Sequence, residues 1–193
     1  MTKSRLSSSA PLASSRVSLS IIRPRDYPTL YEMAIAEENL GRWIFYGGTP
    51  TFEQFVATFT EGVLCQFAIA SRANSTIGGI CRLTHANFRH GTANLSTVIA
   101  PEFQGSLWPM EGLVLFINYA FVQFRIRKLY VEVPGVAYQH MEDGLARLFD
   151  LEGLLRDHEW HLGRYWDTRI MSLTPQGFSD RMGYIIERIV SPS

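Results

Sequence analysis

Between the alternating stretch Thr92 to Ala100 and the short apolar run Lys128 to Val133 lies a helix-length segment that is apolar almost all round. From about Pro109 to Phe124, the residues Leu113, Phe116, Ile117, Ala120, Phe121 and Phe124 recur at helical spacing and cover more than one face. A helix of this kind is expected to be buried on both sides. A strand–helix–strand unit this short leaves one arrangement. The strands lie parallel in one sheet and the helix crosses between them in the right-handed sense.

The flanking sequence supplies the rest of a sheet. Val17-Ser-Leu-Ser-Ile alternates at period two and reads as a strand, ended by Arg23-Pro24. Asp26 is placed to cap a helix that tolerates Pro28 in its first turn. Thr51 with Gln54 forms a capping-box pattern ahead of the stripe Phe52, Phe55, Val56 and Phe59. Cys65 to Ser71, Thr76 to Thr84 and Thr92 to Ala100 then read as a meander, antiparallel by its short connections. Gly78-Gly79 inside the second of these strands points to a bulge or a close backbone approach. A weaker helix is expected over about Ala137 to Phe149, then strands Leu151 to His161 and Arg164 to Thr174, joined as a hairpin at Gly163. The tail after Pro175, with Ile185, Ile186, Ile189 and Val190, reads as a short packing segment. The order describes one mixed α/β domain over residues 17–193, with helices on both faces of the sheet. Residues 1–16 read as a disordered extension. The first 20 residues hold eight serines, and no acidic residue precedes Asp26.

Charge narrows the function classes. Eighteen basic and eighteen acidic residues cancel, which leaves no excess positive charge for a phosphate backbone, so no nucleic-acid partner is expected. No apolar run approaches the ~20 residues that cross a bilayer. Cys65 and Cys81 sit in apolar surroundings and read as small buried hydrophobes of a soluble cytoplasmic protein. His158 and His161 are three apart on a strand, face opposite sides and have no third ligand, so no metal site is expected. The aromatic run Trp43, Phe45 and Tyr46 reads as a buried lid or, as the family resemblance given below implies, as the lining of an acceptor pocket by Trp43 and Tyr46.

Several motifs, in this order, resemble one family. They are Ile22-Arg23-Pro24 with Asp26, Ile77-Gly78-Gly79, and Tyr119-Ala120-Phe121 before Lys128-Leu129. Phe149 with Glu152-Gly153, Leu155-Arg156-Asp157, and Gly163 with Tyr165 and Asp167 complete the series. From about Leu19 to Thr174 the chain is similar to the GNAT acyltransferases, and most similar to their ribosomal-protein N-acetyltransferase branch. The resemblance implies a sheet with a splayed parallel strand pair and an acetyl-CoA or other acyl-CoA co-substrate. It also implies an amine acceptor, either a small molecule or a protein N-terminus, on a monomer or homodimer. It assigns the CoA pyrophosphate to Gln104, Gly105, Ser106, Leu107 and Trp108 at the start of the central helix, where free N–H groups favour an anion. The backbone of Val98 and Ile99 is assigned to pantetheine.

The chain departs from that pattern in its phosphate loop. Leu107 and Pro109 stand where small residues are expected, and proline removes an N–H donor. Val136 falls near the family's cofactor-contacting asparagine, and Tyr138 or Gln139 near its thiolate-protonating hydroxyl. Tyr138 is the expected acid. No carboxylate lies on Thr92 to Ala100, which leaves His85 and His90, in an expected turn, as the nearest titratable groups. The leading expectation is an N-acyltransferase. Set against it are a catalytically inactive acyl-CoA sensor or interaction module, and an enzyme with its groove reshaped for a larger acyl-CoA.

Overall fold

The computed structural model describes residues 11–40, 45 and 47–190. In chain order the elements are β1 (Val17–Ser20), α1 (Tyr27–Ile35), α2 (Glu37–Leu40), α3 (Phe52–Thr58), β2 (Val63–Ser71), β3 (Ile77–Asn87) and β4 (Thr92–Ile99). They continue as α4 (Leu107–Gln123), β5 (Lys128–Pro134), α5 (Gly135–Leu148), β6 (Asp150–His161), β7 (Arg164–Leu173) and α6 (Pro175–Val190). Seven strands form one mixed sheet in the order β1-β2-β3-β4-β5-β7-β6. The β4–β5 pair is parallel, as the crossover requires, and every other pair is antiparallel.

Two cores sandwich the sheet. On one face α4 lies over Ile69, Cys81, Leu83 and Leu95, with Leu115, Phe116, Ile117 and Ala120 fully buried and α5 and α6 extending the layer. The helix approaches closely because Gly112 has no side chain, and a Cβ there would stand 2.4 Å from Ile69. Glycine in a helix interior costs about 1 kcal/mol relative to alanine, offset here by the contact. On the opposite face Leu30, Met33, Phe55 and Phe59 of the α1–α3 region pack on Ile80, Val98 and Ala100. Phe55 is the hub of that core, with its ring centroid 5.5 Å from Tyr31, 6.1 Å from Phe45 and 4.7 Å from Phe59.

The α3 capping box forms as the sequence reads it: the Gln54 N–H donates to Thr51 Oγ1 at 3.3 Å, and the Thr51 N–H donates to Gln54 Oε1 at 2.9 Å. Asp26 behaves differently. Its carboxylate accepts the Arg23 N–H at 2.7 Å and closes a 3-10 turn ahead of α1, rather than capping α1 itself. The tail after Pro175 is a sixteen-residue helix, not a short segment. Its apolar positions Phe178, Met182, Ile185, Ile186 and Ile189 lie on one helical stripe, and Phe178 and Ile186 are buried against α4 and α5. His85 lies within β3, at a register shift between Thr84 and Asn87, and not in a turn.

Order also begins ahead of Val17. Ala13 bridges Ser18, and Leu19 N–H donates to the Leu12 carbonyl at 2.7 Å. The Ser14 carbonyl accepts from Arg72 at 2.7 Å, and the Arg16 guanidinium pairs with the buried carboxylate of Glu111 on α4. Composition records the polarity of residues 11–16 but not that Arg16 has a buried charge to reach.

Both cysteines are free thiols. Burial pushes Cys65 up from 9.0 to about 11, and raises the fully buried Cys81 well above its ordinary value. At neutral pH the native Cys65 is therefore expected to react with iodoacetamide about 100-fold more slowly than in the unfolded chain. Mass spectrometry of timed alkylation checks this. Because the unfolded thiols ionise first as pH rises, stability contributed by these groups is complete below about pH 9 and is lost above it.

Candidate functional site

β4 and β5 are parallel partners through three register pairs only: Thr92 with Lys128, Ala93 with Leu129 and Asn94 with Tyr130. Beyond Asn94 they part. β4 follows β3 as far as Ile99 opposite Gly79, and β5 follows β7 as far as Pro134 opposite Thr168. Leu95–Ile99 and Val131–Pro134 thus face each other across a fork without pairing. Unpaired strand edges present N–H and C=O groups that take an extended, amide-bearing ligand. Val98 and Ile99 both lie on the β4 prong, the first buried and the second half-buried, with their side chains in opposite cores.

The open end of the β4 prong leads through a 3-10 turn (Pro101–Phe103) into α4. Gly105 has φ +80°, a conformation open to glycine, and open space where a Cβ would stand. Leu107 is already the first residue of α4, so its backbone is helical and no second positive φ is needed. Its side chain is 77% exposed, pointing away from the core. Helix geometry leaves the Leu107 and Trp108 N–H groups without intrahelical partners, and Pro109 occupies a first-turn position whose N–H would also be free. The expected obstruction at Leu107 is absent, while the donor lost at Pro109 is real.

Trp108 holds this helix start in place. Its indole packs 5.1 Å from Phe103 and covers Gly78, where a Cβ would stand 2.0 Å from the ring. A Cβ on Gly79 would stand 2.7 Å from the Val98 carbonyl. Gly78-Gly79 is thus both a bulge site in the β2–β3 register and a close approach. Gly78→Ala is expected to displace Trp108 and to cost about 1–3 kcal/mol by overpacking, read as a lower denaturation midpoint with altered tryptophan fluorescence. A shallow cleft of about 560 Å³ beside this helix start is walled by Arg16, Ser71, Arg72 and Trp108, with nothing from β4 or β5. The β4–β5 fork lies apart from that cleft.

At the vertex of the fork Asn94 Nδ2 donates to Glu132 Oε1 at 3.1 Å. Glu132 is exposed and has no ion-pair partner among the described residues. Further along the same face of β5, Lys128 binds Glu152 at 2.6 Å and Ser172 donates to the same carboxylate at 2.6 Å. The hydrogen bond from Lys128, with that from Ser172, holds the Glu152 carboxyl below the usual carboxylate range, and Glu152 in turn raises Lys128. Glu132 is thus a carboxylate at the vertex held by Asn94 and by no ion pair among the described residues. A reading that seeks a base on β4 passes over it. The signal was in β5, where Leu129, Val131 and Val133 face the core and Tyr130 and Glu132 face away.

Tyr138 stands near the start of α5, half-buried, with the Arg169 guanidinium stacked 3.9 Å from its ring centroid. Its hydroxyl makes no hydrogen bond among the described residues. His85 and His90 are exposed at the paired end of β4, away from the diverging prongs. Trp43 and Tyr46 lie outside the described residues. Phe45 packs on Phe55.

A family model described as an acetyltransferase (GNAT) domain matches residues 16–134. The spermidine N(1)-acetyltransferase of Vibrio cholerae is 26% identical over 117 residues, 58% of this chain and 65% of that relative. The chain thus matches just under two thirds of that relative's length. Among solved structures, the Vibrio cholerae spermidine N-acetyltransferase in complex with CoA and spermine superposes with a TM-score of 0.73 at 18% identity, covering 85% of this chain and 98% of that one. A chimera of the Vibrio cholerae enzyme and hSSAT gives a TM-score of 0.70 at 20% identity, covering 86% and 100%. At such identity these structures speak for the fold alone. Among the described residues, no helix is long and apolar enough to cross a membrane, and no three metal-ligating side chains come together.

Proposed function

Since the chain belongs to the GNAT acetyltransferase family, we propose that it transfers an acyl group, acetyl first of all, from CoA to the amine of a small molecule. The observation that carries this reading is the β4–β5 fork with Glu132 at its vertex. In this reading the N–H groups of Leu107 and Trp108, together with Gln104, Gly105 and Ser106, hold the pyrophosphate, which the helix start favours electrostatically. The backbone of Val98 and Ile99 pairs with pantetheine along the β4 prong and aims the thioester towards the vertex. Glu132, oriented by Asn94, attracts the acceptor ammonium and takes one proton from it, and the neutral nitrogen then attacks the carbonyl carbon. As the carbon–sulfur bond breaks, the free Tyr138 hydroxyl supplies a proton to the thiolate and regains one from the acylated nitrogen, which leaves a neutral amide.

A small cationic amine suits an exposed carboxylate with no ion pair among the described residues, and a polyamine acceptor draws support from the named activity of the Vibrio cholerae relative. A protein N-terminus, the acceptor expected of the ribosomal-protein branch, is the competing assignment. A cytoplasmic location belongs to the same reading and is supported by the two free thiols.

Calorimetry and thermal denaturation with acetyl-CoA and longer acyl-CoAs test the donor. Ligand at ~100 times its dissociation constant stabilises by about 2.7 kcal/mol, so a rise in Tm of about 5–10 °C is expected for a domain of this size. Thiol release with spermidine, spermine, monoamines and a short peptide then ranks the acceptors, with the small amines expected to lead. A folded chain that ignores every CoA species would replace this reading with the interaction module.

A further inference from the structure

The face of the sheet that lies under α1–α3 carries a polar strip. Ile80 and Val98 mark that face, since both join its core. Arg82 lies two residues beyond Ile80 on β3, and its register partners Gln66 on β2 and Ser96 on β4 share the face. Asn94 follows on β4, and its hydrogen bond to Glu132 carries the strip to the vertex of the fork. Arg82 therefore sits two strands from Glu132, about 10 Å across the sheet at ordinary strand spacing.

Arg82 is the anomaly in this strip. It is only 3% exposed. Its Nη2 donates at 2.8 Å to the Phe59 carbonyl at the C-terminal end of α3, and the guanidinium lies 5.4 Å from the Phe59 ring centroid. Nε and Nη1 are buried without a hydrogen-bond partner among the described residues, and so is Gln66 Oε1 directly opposite. No carboxylate pairs with Arg82 among those residues, and burial lowers its pKa from the ordinary value. Arginine nevertheless stays protonated at neutral pH. A helix end and a ring face offset part of such a charge. Stability alone seldom retains the rest, because an apolar residue of similar volume is often as stable. The carboxylates of the covering segment whose side chains are described, Glu32, Glu37, Glu53 and Glu61, are exposed, where water and salt screen them. Along the strip the field thus runs from a negative group at the vertex to a positive one two strands away.

We propose that Arg82 determines acceptor specificity: among small amines it selects those that carry an anionic group beyond the amine, and it disfavours diamines and polyamines. The inference rests on the acyl transfer proposed above. Glu132 takes the ammonium end, and the far end of the acceptor then lies over the strip towards Arg82. Arg82 acts there through its charge, so its burial is no obstacle and no contact with the acceptor is required. Two unit charges ~10 Å apart, at an effective dielectric of about 20, change affinity by roughly 10- to 20-fold.

Three amines of similar length, γ-aminobutyrate, butylamine and 1,4-diaminobutane, differ chiefly in that far charge. The native protein is expected to use them in that order, with kcat/KM falling about tenfold at each step. Calorimetric binding of the same amines to the protein mixed with CoA gives the same order without turnover. Arg82→Met flattens the series to within about threefold, whereas Arg82→Lys, which keeps the charge, retains it. Arg82→Gln replaces the methionine variant where circular dichroism shows that variant unfolded. A native protein that takes the diamine as well as butylamine overturns the proposal. So does an order that survives Arg82→Met and Arg82→Gln, or a native protein that binds none of the three. Binding in the expected order without transfer would remove the acyl-transfer reading and keep the selectivity of Arg82. Transfer led by the diamine would do the reverse.

Discussion

Glu132→Gln is expected to lower kcat/KM for amine acetylation by ~10²–10³-fold while leaving acetyl-CoA affinity unchanged. The substitution keeps the shape and removes the charge and basicity. Asn94 can still meet the new side chain, so the local backbone stays as it is. The pH dependence carries more information than the rate. With glutamine at the vertex, only amine that is already neutral can attack, so activity recovers as pH approaches the amine's own pKa. The wild type gains far less over the same range. Steady-state kinetics across pH with spermidine and a monoamine, beside calorimetry for acetyl-CoA, reads both effects. Equal pH profiles for the two proteins would remove Glu132 from the chemistry.

Phe55→Ala is expected to be the most damaging single truncation on the α1–α3 face, at about 3–5 kcal/mol. Phe55 is fully buried, and its ring meets Tyr27, Tyr31, Phe45 and Phe59. The layer it supports also covers Val98 on the β4 prong. Chemical denaturation should show a lower midpoint with little change in slope. KM should rise more than kcat falls, since the wall of the fork loosens while Glu132 and Tyr138 remain.

The strand–helix–strand unit was the legible part of this fold, because a helix apolar on more than one face has few places to go. The Thr51 box and the hairpin at Gly163 were equally plain, each being set by neighbours in sequence. What escaped depended on distant partners. Arg16 finds its partner in Glu111, a buried carboxylate ninety-five residues away. Asp26 chose a 3-10 turn over the helix it precedes, a choice between two nearby N–H donors that residue type does not make. Leu107 looked obstructive in a glycine pattern, yet the helix begins at it and turns its side chain to solvent. Glu132 was hidden for another reason. Its meaning arises where two strands stop pairing, and nothing in either strand alone marks that point.

The fork also alters what the apo protein is. Leu95–Ile99 and Val131–Pro134 belong to a continuous sheet by topology, but across the gap their amides are bonded to neither strand. The sheet is in effect one strand short, and in the proposed function an acyl-CoA arm is the insert that completes it. Hydrogen exchange should therefore see a seam. Gap-facing amides of β4 would exchange rapidly in the free chain and slow on loading, and the protection would spread to β5 as two half-sheets come to behave as one.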